Sequence, residues 1–157
     1  MSKNFELEKK ISNLVDEFNS KNYVFVIEQS KKLISQKNKI PLIYNLLGAS
    51  YSLIDKHTEA IESYLNASLL DPNNEEIYRN LGKSYNKLNQ NSNAYSAFQR
   101  AIRIRSNNPD AIFGLGLLNL KKNKFNQSIQ EFTQVIRLNK NFYQAYYNMA
   151  IAQNFLG

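Results

Sequence analysis

One set of residue types recurs every 34 residues along this 157-residue chain, and nothing else in it limits the possible folds as strongly. After Pro41, the residues Tyr44, Leu47, Gly48 and Tyr51 fall at i, i+3, i+4 and i+7, one face of a helix. Ala60, Tyr64 and Ala67 form a second helical stripe, and Pro72 follows it. Adding 34 gives Tyr78, Leu81, Gly82 and Tyr85, then Ala94, Phe98 and Ala101, with Ser106 in place of the proline. Adding 34 again gives Ile112, Leu115 and Gly116, with Asn119 departing from the aromatic type, then Ser128, Phe132, Val135 and Lys140. A further copy opens with Tyr146, Met149 and Ala150.

The N-terminal segment is a degenerate copy. Its stripe of Ile11, Leu14, Val15 and Phe18 lies 33 residues before the first regular one, whereas Val26, Ser30 and Leu33 keep the spacing of 34. The mismatch predicts a one-residue deletion in the turn around Asn19 to Asn22. The chain thus reads as a single array: a degenerate hairpin at 6–40, repeats at 41–74, 75–108 and 109–142, and a terminal helix at 143–157. Helices are expected near 6–18, 22–36, 41–54, 57–70, 75–88, 91–104, 109–122, 125–138 and 143–156. Glycine inside a helix costs about 1 kcal/mol against alanine, so Gly48, Gly82 and Gly116 at one phase point to close packing. Gly48 with Ala60, and Gly82 with Ala94, are small where two antiparallel helices cross. Asp71-Pro72 stops a helix, because proline lacks an N–H and disfavours helical geometry before it. Pro41 and Pro109 suit the first turn of the next helices.

Tyr44, Leu47, Gly48, Tyr51, Ala60, Tyr64, Ala67 and Pro72 resemble the signature of the tetratricopeptide repeat (TPR) family, with Tyr for its Trp and Tyr for its Phe. The likeness runs over roughly residues 8–156. It implies an all-α, right-handed superhelical solenoid of antiparallel hairpins, about four units and roughly nine helices. First helices would line a concave groove, and second helices a convex back. It also implies a protein–protein interaction module that binds an extended peptide or a partner helix in the groove. The alternative is the N-terminal recruiting module of a larger glycosyltransferase or sulfotransferase, because the degenerate first hairpin resembles the repeats that precede such enzymes.

Composition narrows the chemistry. The chain has no Cys, which excludes disulfides and thiolate metal sites, and one His. No metal, cofactor or catalytic activity is expected. His57 reads as an exposed helix-start residue, and Glu75-Glu76 as first-turn acids that complement the helix dipole. Gly114-Leu115-Gly116 lies mid-helix with no Gly-Lys-Ser/Thr after it, so it is not a phosphate loop. The net charge of +7 is spread over most segments: +3 for residues 1–40, −3 for 41–74, +4 for 75–108 and +3 for 109–142. With 23 Asn beside many Lys and Ile, that balance fits a biased coding sequence, and nucleic acid is not expected as a partner. The longest apolar run, Ala111 to Leu118, is too short to span a bilayer, and a soluble cytoplasmic protein is expected.

On the first helices, the residues opposite the signature stripe should face the groove. These are Asn13 and Asn45 early in the chain, then Arg79, Asn80, Lys83 and Lys87, then Phe113 and Leu117, and last Tyr147 and Asn148. The middle is basic and the C-terminal part apolar. A carboxylate clamp of the kind some family members carry is not formed, since Asp110 and Gly114 would fall at its third-helix positions. Asn13, Asn80 and Asn148 form a partial asparagine ladder, suited to peptide groups because the amide both donates and accepts. Leu46 and Gly114 interrupt it. At the far end Tyr146, Met149 and Phe155 have no second helix to cover them. Either the natural chain continues past Gly157, or this helix mediates self-association.

Overall fold

A computed structural model describes residues 3–157. Among them it shows nine helices and no strand: α1 Lys3–Asn19, α2 Tyr23–Ser35, α3 Pro41–Leu53, α4 His57–Leu70, α5 Glu75–Lys87, α6 Asn91–Ile104, α7 Pro109–Lys121, α8 Phe125–Leu138 and α9 Tyr143–Asn154. The expected boundaries are met to within three residues at every end. Pro41 and Pro109 open α3 and α7, and α4 ends at Leu70 just before Asp71-Pro72. Asparagine caps two of the first helices: Asn74 accepts a hydrogen bond from the Glu76 N–H at the start of α5, and Asn108 accepts one from the Ala111 N–H at the start of α7.

The chain forms two compact units, Met1–Asn73 and Asn74–Gly157. In the first, α3 and α4 form a close hairpin, while α1 and α2 meet more sparingly. In the second, α5–α6 and α7–α8 are close hairpins, and α9 packs on α8 and α7.

Every hairpin turn is closed the same way. Lys21, Asp55, Asn89 and Asn123 take left-handed backbone conformations, with φ between 57° and 63°. The next N–H, of Asn22, Lys56, Gln90 and Lys124, donates to the carbonyl five residues back, of Glu17, Tyr51, Tyr85 and Asn119, each at 2.9 Å. These four sets are spaced by 34 throughout. The expected deletion between Asn19 and Asn22 is therefore absent. What shifts is the apolar stripe of α1: Leu14, the one fully buried side chain among the described residues of that helix, stands where Gly48 stands in α3. A leucine at the crossing holds the first hairpin apart, which accounts for its sparser contact.

In the regular hairpins the crossing is built from a ring lying on a glycine. A β-carbon placed on Gly48 would lie 2.8 Å from Tyr64 Cδ1, one on Gly82 2.5 Å from Phe98 Cδ1, and one on Gly116 2.5 Å from Phe132 Cε1. Each of these rings is buried. Phe98 is covered on both sides, because a β-carbon on Gly114, one helix further on, would collide with the far edge of the same ring. Ala94, Ala101, Ala111, Leu115 and Leu118 complete the core around it.

Both Gly82→Ala and Gly114→Ala should therefore lower stability by roughly 1–3 kcal/mol through overpacking. In chemical denaturation, Phe98→Leu should partly rescue either change, because the smaller side chain vacates the shared space. Additive losses would show that Phe98 is not the residue that both glycines accommodate.

Candidate functional site

The residues expected to face a groove fall in both units. In the first, Asn13 is exposed on α1 and Asn45 is half-buried on α3, where its Oδ1 is buried without a hydrogen-bond partner. Leu46 is a core residue packed with Val26 and Leu33, not a groove residue. These two flank Ser30, the small residue that α2 carries where α4 and α6 carry Tyr64 and Phe98. A large side chain at 46 answers a small one at 30, just as Gly114 answers Phe98. The gaps in the asparagine series are therefore packing requirements.

In the second unit, α5, α7 and α9 bring the remaining residues onto neighbouring first helices, but several have partners that the sequence does not announce. Arg79 Nη1 donates to Asp110 Oδ2 at 3.2 Å, and Lys83 Nζ to Asp110 Oδ1 at 3.1 Å. Arg79 also lies 3.6 Å from Glu76. Arg79 and Lys83 in the basic middle of the expected groove are thus paired with a carboxylate of the next first helix, α7. Burial pushes the Asp110 carboxyl upward, but Lys83, and then Arg79, more than offset it and hold the group below its ordinary pKa. The pairing joins residues 27 and 31 positions apart, so no local pattern reveals it. The available signal was that Asp110 sits one turn before Phe113, on the same face of α7.

Phe113 is not a free anchor. Its ring lies 4.8 Å from that of Phe142 and 5.6 Å from that of Phe132, within the core of the last hairpin. Leu117 is half-buried beside it. Tyr147, by contrast, is 70% exposed. Asn148 donates to the Gln144 carbonyl of its own helix at 2.7 Å, which leaves its oxygen as an acceptor. Asn80 is half-buried, with no side-chain hydrogen bond. Lys87 is exposed and unpaired, and Lys121 donates to Asn86 Oδ1 at 2.9 Å.

Three further features correct or extend the sequence reading. His57 opens α4, but its ring is turned inward with a side chain only 11% exposed, 3.6 Å from Asp55 and 3.5 Å from Ser52 Oγ. Asn119, the residue that breaks the aromatic signature, donates to both carboxylate oxygens of Glu131 at 2.9 Å. Burial raises the Glu131 pKa, and the Asn119 hydrogen bond opposes that rise. In the first unit, Lys31 sits 5.5 Å above the Tyr51 ring, at a cleft of about 480 Å³ that Tyr44, Glu59 and Glu62 also line. A hydrogen bond with Tyr51 raises the pKa of Lys31. Among the described residues no three acidic, His or Cys side chains are placed to hold a metal, and no helix is long and apolar enough to cross a membrane.

Comparison with known proteins agrees with this architecture. A TPR repeat model matches residues 55–89 and 82–123, and a tetratricopeptide repeat model matches 109–142. The fold resembles that of MamA, with a TM-score of 0.84 and 25% identity over 90% of this chain and 83% of that one. It also resembles the first TPR of Spaghetti (RPAP3), solved with the HSP90 peptide SRMEEVD, with a TM-score of 0.72 and 22% identity over 74% and 92%. YrrB, described as a TPR protein with an unusual peptide-binding site, has a TM-score of 0.79 and 18% identity over 93% and 75%. No curated protein matches the sequence. The chain belongs to the tetratricopeptide repeat family, an all-α helical-repeat class of protein-interaction modules.

The Asp110 pairs allow a test by pH. Because the folded state lowers the Asp110 pKa, its pairs stabilise the protein at neutral pH, and that contribution is lost as pH falls through the folded value. Asp110→Asn should cost roughly 0.2–1 kcal/mol at pH 7, as expected for partly exposed pairs. The difference from the parent should shrink below about pH 4. A constant difference across that range would show that the pairs are not formed.

Proposed function

We propose that the second unit binds an extended polypeptide segment across α5, α7 and α9. Asn80 and Asn148 meet peptide groups, and Tyr147 and Leu117 provide apolar contact. The observation that carries this reading is the unpaired side-chain amide of the half-buried Asn80, on the face where the helical phase also puts the exposed Tyr147 ring. An amide with no partner in the protein can both donate to and accept from a peptide group. Tyrosine offers large contact area at low entropic cost, which is why it recurs at binding surfaces. Arg79 and Lys83 contribute only to a ligand whose carboxylate can exchange with Asp110. Lys87 is available from the start.

Two likenesses support the reading. The RPAP3 domain was solved with a peptide, and YrrB is described by its peptide-binding site. Nothing in these likenesses favours the reading as an enzyme's recruiting module. The expected affinity is micromolar, near −8 kcal/mol, because each amide hydrogen bond contributes only about 0.5–1.5 kcal/mol net.

The test is selection from a displayed library of random peptides, followed by measured affinities. Asn80→Ala with Tyr147→Ala should weaken the selected peptides about tenfold or more and leave the fold intact. Arg103→Ala with Arg137→Ala, both exposed on second helices, should leave binding unchanged. Loss in the second pair with retention in the first would move the site to the opposite face.

A further inference from the structure

On α3, α5 and α7 the face that carries Gly48, Gly82 or Gly116 is covered by the second helix of the hairpin. The same face of α9 is open. Met149, which the sequence placed on it, is half-buried with its Sδ 3.6 Å from Thr133 Oγ1, and the Phe155 ring stacks on Phe125 at 5.0 Å while staying 67% exposed. On the helix itself Tyr143, Tyr146, Ala150 and Gln153 are exposed and form one stripe at i, i+3, i+7 and i+10.

We infer that this stripe is a homodimer contact, in which α9 pairs antiparallel with α9 of a second copy of the chain. Two observations select this occupant. The first is charge. The chain carries 33 ionisable Lys, Arg, Asp and Glu residues and a net +7, yet the seventeen residues from Asn141 to Gly157 include none of them. Two copies repel one another across most of their surfaces, and α9 is where they meet without that cost. A charged partner gains nothing there. The second is the fit of the stripe to itself. About a two-fold axis near Asn148, Tyr146 of each copy falls opposite Ala150 of the other, and Tyr143 opposite Gln153. A ring thus meets a small residue twice, and a phenol meets an amide twice, as an isologous contact demands. A hairpin-type second helix with the usual aromatic fits less well. At the equivalent positions a β-carbon would stand 2.5–2.8 Å from the covering ring, and Ala150 has that β-carbon.

Sedimentation equilibrium of the 157-residue chain tests the inference. The average mass should rise from 18.2 kDa towards twice that value across the micromolar range. Added salt should not weaken the pairing, since no ion pair holds it. Ala150→Glu, a change at an exposed position, should weaken association about tenfold or more. Tyr146→Ser should do the same if the first variant fails to fold. A mass that stays at 18.2 kDa throughout, as when the face is bare or covered from within one chain, overturns the inference. So does a dimer that both variants leave unchanged, which would place the contact elsewhere. Asn80 and Tyr147 are untouched, so peptide binding is read independently.

Discussion

The contact on which each regular hairpin depends is an aromatic ring packed directly against a glycine: Tyr64 on Gly48, Phe98 on Gly82, Phe132 on Gly116. A helix gives up about 1 kcal/mol of propensity at each such glycine, and the exchange is favourable because a fully buried ring contributes more than that. The crossing distance follows from the contact, and the position of the neighbouring first helix follows from the crossing. Where a leucine replaces the glycine, as at Leu14, the helices meet more sparingly.

The same contact decides which residues are left for binding. Phe98 reaches past its own hairpin to Gly114, so a position that could have carried a ladder asparagine carries no side chain. Phe113 turns into the rings of Phe132 and Phe142 rather than outward. The face of α5, α7 and α9 is therefore more selective than a count of its residues suggests. It offers one unpaired amide, one exposed tyrosine, the unpaired Lys87 and an internally paired set of charges, Arg79, Lys83 and Asp110.

The fold was legible because the signals that specify it are local and repeated. Proline and asparagine mark the helix starts, left-handed residues close the turns, and the spacing of small and aromatic residues sets each pairing. The site was only partly legible. Tyr147 is exposed and Asn80 has no side-chain partner, as residues without a packing role would be, whereas the neutralisation of Arg79 and Lys83 depends on a residue two helices on. Asn119 looked like a lapse in the signature, and became intelligible only beside Glu131, twelve residues on.

The sequence by itself determined the nine helices, their boundaries and the pairing within each hairpin, because these follow from contacts between residues of one 34-residue unit or its immediate neighbour. The tertiary structure alone decided the register of α1, where the turn hydrogen bonds hold the spacing that the apolar stripe obscures. It also decided which groove side chains are occupied and which face of α9 stays open. Those outcomes depend on distances between side chains of different repeats, where one charge or one ring satisfies another, and periodicity carries no information about such pairs.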